Sequence, residues 1–354
     1  MKEGITASHT DPMRIMIVGS DRIDAIENFY VKYLRLQGVD LSFLQAHTWF
    51  HEYYYKRLLN KLVFRAGISD IYRRINREFR KMVLEYRPSV IWIFKGMEIF
   101  PASIEWARAR GIRLVNYNPD NPFLFTGRGS GNKNVTRSVG LYDLHFTYNL
   151  EIKKRLEDQF HARTAFLPFG FEIDKGLYEK CAGQEEIKKC CFLGNPDGQR
   201  AGFIQSLAEK GIPLDVYGNN WNKWLDHPNI RIFPPVYGDE MWMVLRRYRI
   251  QLNLMRVHNE DSHNMRTFEV PAIGGIMLAP DTTEHRIFFT EGKEVFFFRD
   301  VEDCADKIHG LLGMPVNAAN EVRARARELS IAAGYSYEAR ARQVRQLMME
   351  VLYP

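Results

Sequence analysis

The sequence predicts an α/β fold built from two parallel sheets, each in a domain of its own. Short apolar runs of strand length alternate along the chain with segments of helical periodicity, which is the pattern of a parallel sheet covered by helices. The alternation stops near residue 175 and starts again near residue 185. With 354 residues, of which 45% are hydrophobic, the chain is long enough for two domains with ordinary cores.

In the first half, strands are predicted from apolar runs bounded by proline, glycine or polar turns. Residues 14–20 form the first run, and a helix follows from Ile23 to Leu36. Another helix is predicted to begin at Pro101 and to end before Gly111, since proline favours the first helical turn and glycine the helix end. Residues 52–86 are predicted to be mostly helical. The other strands predicted in this half are residues 41–46, 89–94, 113–117, 141–148 and 165–168.

The second half repeats this arrangement. A strand at residues 188–193 runs into Gly194, and the next helix, residues 200–210, is predicted to end at Gly211. Beyond Val301 the periodicity is helical, with a last helix over residues 337–352. The other predicted strands are residues 214–217, 229–233, 250–254 and 276–279.

These elements divide the chain into a flexible tail (residues 1–13), an N-terminal domain (14–175), a C-terminal domain (185–335) and a C-terminal helix (336–354). The segment between the domains is polar and lacks periodicity, which favours a linker. Two α/β domains joined in this way predict a cleft between them. Ligands of open parallel sheets bind at the carboxyl ends of the strands, so functional residues are expected there.

The composition favours a cytoplasmic protein with reduced thiols. There are four cysteines and no Cys-x-x-Cys pair, so neither a disulfide framework nor a redox motif is predicted. The start of the chain is polar rather than a signal peptide. No apolar run reaches the ~18 residues needed to span a bilayer.

The net charge of +6 is unevenly distributed. Residues 1–172 hold 26 Lys and Arg against 18 Asp and Glu, and the excess concentrates between Lys56 and Arg87, with ten basic and three acidic residues. This segment indicates an anionic partner, for which we expect peripheral contact with the inner face of a membrane or with a lipid-linked acceptor. A solvated helix face would have the same composition. Nucleic acid is disfavoured because no nucleic-acid-binding motif occurs.

Several common cofactor and metal motifs are missing from the sequence. Gly19 stands alone after the first strand, so there is no Gly-x-Gly-x-x-Gly fingerprint for a dinucleotide, and no Walker A motif occurs. No two aspartates lie two positions apart, as they would to hold a divalent ion on a nucleotide diphosphate. We therefore expect neither a cofactor nor a metal.

The segment SHNMRTFEVPAIGG, residues 262–275, combines a helical pattern with polar residues at its beginning. A helix starting near Asn264 would direct backbone N–H groups and the Arg266 guanidinium at a phosphate. Glu269, one turn later, could accept hydrogen bonds from the two hydroxyls of a ribose. Gly274 and Gly275 would let the chain pass close to the ligand. The alternative is that Arg266 and Glu269 form an i,i+3 surface pair.

Two other strand ends of the same domain carry ligand-like residues. Gly194 and Asn195 follow one strand and precede the helix that carries Arg200. Tyr217, Gly218 and Asn219 follow the next strand, and their amides and aromatic ring suit a nucleotide base. Turn chemistry alone would also explain these residues. The predicted donor site is completed by Arg256, Asp261 and Asn264, which lie before or at the start of the helix predicted in residues 262–275.

In these segments the chain resembles glycosyltransferases of the GT-B fold, and more narrowly the spore maturation protein B-like family with a C-terminal domain of the glycosyl transferases group 1 type. The resemblance rests on short motifs within residues 85–315. These are FLGN (192–195), NMRTFEVPAIGG (264–275), EVFFFRDVEDCADKIHGLL (294–312), FKGMEIFP (94–101) and NYNPDNPF (116–123). Asp261 lies eight positions before Glu269, which is similar to the Glu-x7-Glu spacing of retaining group 1 enzymes with Asp in the first place.

The resemblance implies two Rossmann-like domains facing a cleft, with a C-terminal helix that returns to the N-terminal domain. It implies a nucleotide-diphosphate sugar in the C-terminal domain, an acceptor over the N-terminal domain and no metal requirement. Glu269 would bind the ribose. The diphosphate would be surrounded by Gly194, Arg200, Arg266, Gly274 and Gly275.

On the acceptor side, Asp120 in the segment NPDNP is the candidate catalytic residue, since it lies just past a predicted strand end. An inverting enzyme would use it as the general base on the acceptor hydroxyl, whereas a retaining enzyme would use it to orient the acceptor. An Asx turn between two prolines is the structural alternative. Lys95 and Glu98 near the same edge are further acceptor-side candidates.

We therefore predict a metal-independent glycosyltransferase of the hexosyltransferase type, acting in surface glycan or glycolipid synthesis. The alternatives are a nucleotide-sugar epimerase or hydrolase on the same fold, and a non-enzymatic basic binding module. Consumption of the donor without an acceptor would favour the former. Strongly salt-dependent binding without affinity for nucleotide sugars would favour the latter.

Overall fold

The structure, a computed structural model, describes residues 13–23, 25–125, 130–256 and 261–353. Residues 1–12 of the predicted tail lie outside this part of the chain. The chain divides into two compact units. The first runs to Pro168 and also includes the residues from Arg340 onward, and the second is Phe169–Ala339.

The first unit is built on a six-stranded sheet. Its strands are β1 (Arg14–Val18), β2 (Asp40–Leu44), β3 (Val90–Phe94), β4 (Arg113–Asn118), β5 (Leu144–Thr147) and β6 (Thr164–Phe166). Their order is β2-β1-β3-β4-β5-β6, and every neighbouring pair is parallel. β3 is buried at all of its residues, which is typical of a parallel sheet covered on both faces.

Helices connect these strands. They are α1 (Glu27–Leu36), α2 (Ala46–Lys56), α3 (Leu58–Arg65), α4 (Ile71–Tyr86), α5 (Pro101–Arg108), α6 (Lys133–Ser138) and α7 (Leu150–Phe160), with a 3₁₀ turn at Val139–Leu141. α5 begins with Pro101, as predicted. Gly111 adopts φ = +79° three residues after this helix ends, a conformation that glycine favours.

The second unit repeats the plan. Its strands are β7 (Ile187–Leu193), β8 (Leu214–Tyr217), β9 (Ile230–Phe233), β10 (Tyr248–Leu252), β11 (Met277–Pro280) and β12 (Phe296–Phe298). Its helices are α8 (Lys175–Ala182), α9 (Gly198–Glu209), α10 (Gly238–Arg247), α11 (Arg266–Ala272), α12 (Thr283–Phe288), α13 (Val301–Gly313) and α14 (Val316–Ala332), with a 3₁₀ turn at Trp221–Lys223. The strand order is β12-β11-β10-β7-β8-β9, and neighbouring strands are again parallel.

The last helix, α15 (Tyr337–Leu352), begins in the second unit and continues into the first. Within the first unit its residues Ala341, Val344 and Met348 are fully buried. Gln343 Nε2 donates to Phe166 O at 3.2 Å, so the helix is tied to the edge strand β6. The end of the chain is therefore part of the core of the first unit.

In each sheet the strand order reverses beside the first strand: the next strand is added on one side of it, and a later strand on the other side. β1 lies between β2 and β3, and β7 lies between β8 and β10. Right-handed crossovers then place the helices that follow the two diverging connections on opposite faces of the sheet, which opens a crevice at the carboxyl ends of these strands. Ligand-binding residues are therefore expected at the carboxyl ends of β1 and β3 in the first unit and of β7 and β10 in the second.

The predicted fold class, two parallel α/β sheets with covering helices, is confirmed. One segment differs in detail from its prediction. The stretch proposed as a linker contains α8, which begins where Asp174 Oδ1 accepts from the Leu177 backbone N–H at 2.8 Å. A single helix of this length shows too few repeats to be recognised by periodicity, whereas the capping hydrogen bond fixes its beginning.

Candidate active site

Arg200 occupies the switch point of the second unit. Its side chain is only 9% exposed. Nη1 donates to Asn195 O at 3.2 Å, and Nη2 donates to Leu254 O at 2.8 Å. The guanidinium therefore joins the loop after β7 to the loop after β10. Its position near the beginning of α9 is fixed by Asp197, whose side chain accepts from the Arg200 backbone N–H at 3.0 Å.

The loops after β7 and β8 lie in direct contact because both contain glycine. A Cβ at Gly218 would lie 2.1 Å from Gly194 O, so no side chain fits there. Trp221 Nε1 donates to Gly194 O at 2.7 Å, and the Asn219 backbone N–H donates to Asn195 Oδ1 at 3.2 Å. The structure thus brings together the predicted residues Gly194, Asn195, Gly218 and Asn219, with Arg200 beside them.

A cavity of about 280 Å³ opens beside Arg200. It is lined by Gln199, Arg200, Phe203, Leu254, Met255, Pro280 and Phe298. These residues come from α9 and from the carboxyl ends of β10, β11 and β12. One cation in a mostly apolar and aromatic wall is the composition of a small-molecule site.

The charges at the carboxyl ends of the strands of the second unit favour the binding of an anion. Burial lowers the pKa of Arg200 to about 10, with nearby Arg256 acting in the same direction and Asp197 opposing it. Arg200 therefore remains charged at neutral pH. Arg200 Nε has no hydrogen-bond acceptor among the described residues, although Asp197 Oδ2 lies 3.6 Å away. Arg266 Nε also lacks an acceptor within that part of the chain.

Arg266 and Glu269 form an ion pair at the beginning of α11, from Arg266 Nη1 to Glu269 Oε2. The pair predicted as an alternative to ligand binding therefore exists. It is not a solvated surface pair, because Glu269 is only 6% exposed. A buried carboxylate held by one guanidinium retains further acceptor capacity, so the pair is also compatible with a ligand.

Asn264 belongs to a buried polar network that fixes the approach to α11. Its Nδ2 donates to Asn253 Oδ1 at 2.7 Å and contacts Met255 Sδ at 3.4 Å, which connects it to the wall of the cavity. Thr267 Oγ1 lies 3.0 Å from His285 Nε2 and accepts from the Asn264 backbone N–H. Burial lowers the pKa of His285 to about 4, so the imidazole is neutral. This network positions the residues around it.

Other predicted residues have clear structural contacts. Asp261 Oδ1 accepts from the Thr283 backbone N–H at 2.8 Å, at the first residue of α12. Tyr217 stacks on Phe233 with ring centroids 4.7 Å apart, and its hydroxyl lies 2.9 Å from that of Tyr248. Arg256 is exposed.

Gly274 and Gly275 are not brought together with the other predicted residues. They end α11, with Gly274 at φ = +73° and the Gly275 N–H donating to Val270 O at 2.8 Å. A Cβ at Gly275 would meet Leu245 O at 2.7 Å. α11 connects the carboxyl end of β10 to the amino end of β11, so Arg266 lies near the carboxyl ends of the strands and the two glycines lie near their amino ends.

The first unit gathers charged residues at the carboxyl ends of β1 to β4. Lys95 Nζ lies 2.6 Å from Asp120 Oδ2, so the candidate base is ion-paired. The pair depends on a sharp turn after β3, in which Lys95 adopts φ = +58° and Gly96 φ = +93°. Asn118 Oδ1 accepts from the Asp120 backbone N–H at 3.0 Å, so the Asx turn here is made by Asn118 and not by the Asp120 side chain.

Glu98 holds a histidine that the sequence analysis missed. His47 Nδ1 lies 2.8 Å from Glu98 Oε1, and the side chains are 34% and 3% exposed, respectively. The hydrogen bond to Glu98 raises the pKa of His47 above its ordinary value, against the effect of partial burial. This arrangement leaves the other ring nitrogen available to take up a proton.

Glu27 is a second missed residue. Its carboxylate lies under the loop after β1, where the Ser20 backbone N–H donates to Oε1 at 2.9 Å. A Cβ at Gly19 would lie 2.6 Å from that oxygen, so glycine makes room for the side chain. Burial raises the pKa of Glu27 to about 7, although hydrogen bonds from backbone N–H groups and the charges of His47 and Lys95 oppose this.

Lys95 was selected because ligands of parallel sheets bind at the carboxyl ends of strands, which we call the strand-end rule. The same rule would also have selected His47, which lies three positions after β2. No comparable sequence signal marks Glu27, because its environment depends on a loop seven residues away. Among the described residues, no group of three or more His, Cys, Asp or Glu is arranged to hold a metal ion. In the same part of the chain, no helix has the length and apolar character needed to span a membrane.

Comparison with known proteins agrees with this architecture. Residues 199–346 match the family of glycosyl transferase-like proteins. A glycosyltransferase from Rickettsia africae aligns with 97% of this chain and 100% of its own, with a TM-score of 0.66 and 12% sequence identity. Anabaena HepE, solved in complex with UDP, aligns with 96% of this chain and 100% of its own, with a TM-score of 0.61 and 10% identity.

A putative UDP-N-acetylglucosamine 2-epimerase from Listeria monocytogenes also aligns, over 94% of this chain and 95% of its own, with a TM-score of 0.54 and 12% identity. Among curated proteins, no sequence matches the chain. The protein therefore has the GT-B fold, and its residues 199–346 form a glycosyl transferase-like region. The narrower resemblance to the spore maturation protein B-like family stays a prediction.

Proposed function

We propose that the protein is a glycosyltransferase that transfers a sugar of the hexosyl type from a nucleotide-diphosphate sugar to a hydroxyl group. The observation that carries this proposal is the position of Arg200, whose buried guanidinium joins two loops at the switch point of the second unit. Arg200 lies within the region that matches glycosyl transferase-like proteins. The UDP bound to the Anabaena protein of the same fold supports a nucleotide donor.

In this proposal the diphosphate lies among Arg200 and Arg266, at the beginnings of α9 and α11, and Arg256, which follows β10. Backbone N–H groups of helix N-termini and fixed guanidinium groups favour negative charge. As the bond to the sugar breaks, charge develops on the leaving diphosphate, and cations already in place stabilise it without reorganisation. The proposal requires no metal ion for this step.

The remaining donor contacts follow from the same geometry. Arg266 fixes one oxygen of the Glu269 carboxylate, so the other oxygen is available to accept from ribose hydroxyls. The apolar cavity beside Arg200 provides space for another part of the nucleotide. Tyr217, whose ring is stacked on Phe233, is a less direct candidate for contact with the base.

The acceptor is assigned to the first unit, as a glycan or lipid-linked hydroxyl in surface glycan or glycolipid synthesis. Two residues there are candidate general bases. Asp120 is ion-paired with Lys95, so one of its carboxylate oxygens is already occupied by a cation. His47 is held by Glu98 and has a raised pKa, so it is the better placed of the two to accept a proton near neutral pH.

An epimerase or hydrolase acting on a nucleotide sugar is the second candidate function. It is favoured by the fold neighbour described as a putative 2-epimerase. Incubation with the donor alone separates the possibilities. A transferase consumes donor only when an acceptor is present, whereas an epimerase or hydrolase needs no acceptor.

The donor site can be tested by thermal stabilisation with UDP, GDP, dTDP, ADP and CMP and their sugars, with and without EDTA. A ligand at 100 times its dissociation constant adds about 2.7 kcal/mol to the free energy of unfolding. We expect one nucleotide to raise the melting temperature equally with and without EDTA. We expect Arg200→Gln and Glu269→Gln to abolish this rise.

The matched control is Arg325→Gln. Arg325 forms an exposed pair with Glu321 at 2.9 Å on α14, so its replacement removes a helical ion pair outside the proposed site. This variant should respond to the nucleotide like the wild type. Failure of every nucleotide to stabilise the wild type, in the presence and absence of an acceptor, would overturn the proposed function.

A further inference from the structure

Helix α3 has no buried residue, although five of its eight residues are large and apolar. It is anchored by Phe64, whose ring lies 4.8 Å from that of Phe50 and 5.4 Å from that of Tyr72. On the other side, Leu58, Leu59 and Leu62 are 73%, 62% and 53% exposed. Leu62 lies four positions after Leu58 and three after Leu59, spacings that bring side chains together on one side of a helix, so these leucines form a common surface.

The exposed surface extends beyond the helix. Tyr55 at the end of α2 is 59% exposed, and Ile68 shortly after α3 is 75% exposed. Single exposed apolar residues are ordinary on proteins, but a run of five within 14 residues indicates a surface that binds a partner. We call residues 55–68 the α3 surface.

All charged residues of the α3 surface are positively charged. Residues 53–69 include four cations and no Asp or Glu. The cations are Lys56, Arg57, Lys61 and Arg65. None of them forms an ion pair within the part of the chain that the structure describes. Lys61 Nζ instead lies 4.6 Å from the centre of the Tyr55 ring, which keeps the cation beside the apolar residues.

We propose that the α3 surface binds the anionic headgroup layer of a lipid bilayer, with its leucines in the outer acyl region and its cations among the phosphates. Apolar residues on one side of a helix with Lys and Arg around them are typical of helices that lie in this interface. Eight residues extend only ~12 Å, so α3 lies in the interface and does not span the bilayer.

Charge complementarity selects this occupant over a second copy of the chain. A symmetric contact between two α3 surfaces would bring four uncompensated cations of each copy together, which is unfavourable. A layer of anionic lipids instead neutralises all four. The inference does not depend on the proposed function, because it concerns residues of the first unit, whereas the proposed donor residues belong to the second.

The test is co-sedimentation of the full chain with vesicles of phosphatidylcholine, with or without about one third phosphatidylglycerol. We expect binding only to the anionic vesicles, and weakening as salt increases. Each cation near an anionic surface contributes about fivefold to the binding constant. Lys61→Gln with Arg65→Gln should therefore weaken binding by more than tenfold, and Leu58→Ser with Leu62→Ser should weaken it by a comparable factor.

Each variant has a matched control. Leu36 is 73% exposed, like Leu58, but lies at the end of α1, so Leu36→Ser should leave vesicle binding unchanged. Lys223→Gln with Lys293→Gln removes the same charge from exposed positions of the second unit and should also have no effect. Circular dichroism and nucleotide-dependent melting of every variant show whether folding or the donor site has been disturbed.

Three outcomes would overturn the inference. The wild type could fail to bind the anionic vesicles. Binding could be equal for both vesicle compositions and for all variants. The wild type could form oligomers in light scattering that Leu58→Ser with Leu62→Ser dissociates, which would assign the α3 surface to a second copy. A failure of nucleotide binding with intact vesicle binding would count against the proposed function alone.

Discussion

At the scale of single residues, the two units use charge differently. In the second unit, the buried Arg200 is held by backbone carbonyls and the partly buried Arg266 by a carboxylate, so cationic charge is fixed at one edge of the sheet. In the first unit, the residues at the corresponding edge include Glu27, whose pKa burial raises to about 7, and His47, whose pKa is raised by its hydrogen bond to Glu98. Fixed cations suit the binding of an anion, and groups with shifted pKa values suit proton transfer.

Glu27 should make the stability of the protein depend on pH. Its pKa is about 7 in the folded chain against 4.5 without burial, so the folded state binds the proton more tightly. The stabilising contribution is complete below pH 4.5 and is lost as pH rises to about 7. The loss is about 3 kcal/mol, from a shift of this size. Glu27→Gln should abolish this part of the pH dependence in urea unfolding measured from pH 4.5 to 8.

The control for this change is Glu105→Gln, at an exposed position of α5, which should leave the pH dependence of unfolding as in the wild type. A slope that is the same in the wild type and in Glu27→Gln would show that Glu27 does not bind its proton more tightly in the folded chain.

His47 should titrate above its ordinary pKa because Glu98 accepts its hydrogen bond. In Glu98→Gln the carboxylate charge is lost, so the pKa of His47 should fall. The acid limb of the kcat/KM profile of the proposed transferase should move to lower pH with it. NMR titration of the His47 ring checks the pKa independently of activity. If the ring titrates at the same pH in both proteins, Glu98 does not tune His47.

At the scale of elements, glycines decide how close neighbouring loops can lie. The loops after β7 and β8 touch at Gly194 and Gly218, and the Trp221 indole fixes this contact by a hydrogen bond to Gly194 O. The Arg200 guanidinium then bonds to the same loop through Asn195 O. The geometry of the donor site therefore depends on one close contact between two loop backbones.

Gly218→Ala should disrupt this contact. The new Cβ would lie 2.1 Å from Gly194 O and 2.7 Å from Trp221 Nε1, so the loops must separate. We expect a loss of about 3 kcal/mol or more in the free energy of unfolding, together with loss of nucleotide-dependent stabilisation. Chemical denaturation and thermal melting with nucleotide measure the two effects.

The matched control is Gly202→Ala in α9, where a Cβ would meet nothing within 4 Å. There the same change should stabilise the protein by about 1 kcal/mol, because alanine is the better helix former. Equal effects at the two glycines would contradict the role given to the loop contact.

At the scale of the whole molecule, the two units are not consecutive in the chain. The first unit is completed by α15, whose buried residues Ala341, Val344, Met348 and Val351 join a core that begins with β1. The first unit can therefore reach its full stability only after the last residues have been made. The resulting closure of a long segment of chain costs entropy that the packing of α15 must offset.

Met348→Ala should destabilise the first unit. Met348 is fully buried, so its truncation should cost about 2 to 5 kcal/mol. The adjacent Met349 is 38% exposed, and Met349→Ala should change stability by no more than about 0.5 kcal/mol. Hydrogen exchange should show faster exchange in β5 and β6 for Met348→Ala and no change in the second unit. Equal exchange in the two variants would count against α15 as part of this core.

Much of the architecture follows from the sequence alone, because local patterns determine it. The apolar run at Val90–Phe94 is a buried strand, Pro101 begins a helix, and the restart of the pattern predicts a second sheet. The strand-end rule also selects Lys95, Arg200 and Asn195 as site candidates, since it needs only the order of elements along the chain.

Tertiary structure decided what depends on distant partners. Periodicity gives no sign that residues after Arg340 belong with the first sheet, because burial of Val344 depends on a surface made more than 150 residues earlier. Nor does it show that Gly19 makes room for Glu27, that Glu98 holds His47, or that Gly218 lies against Gly194. The sequence determined which segments form strands and helices through local hydrophobic and backbone preferences. The tertiary structure decided which charges are buried and paired, because burial and hydrogen bonding depend on residues from several segments at once.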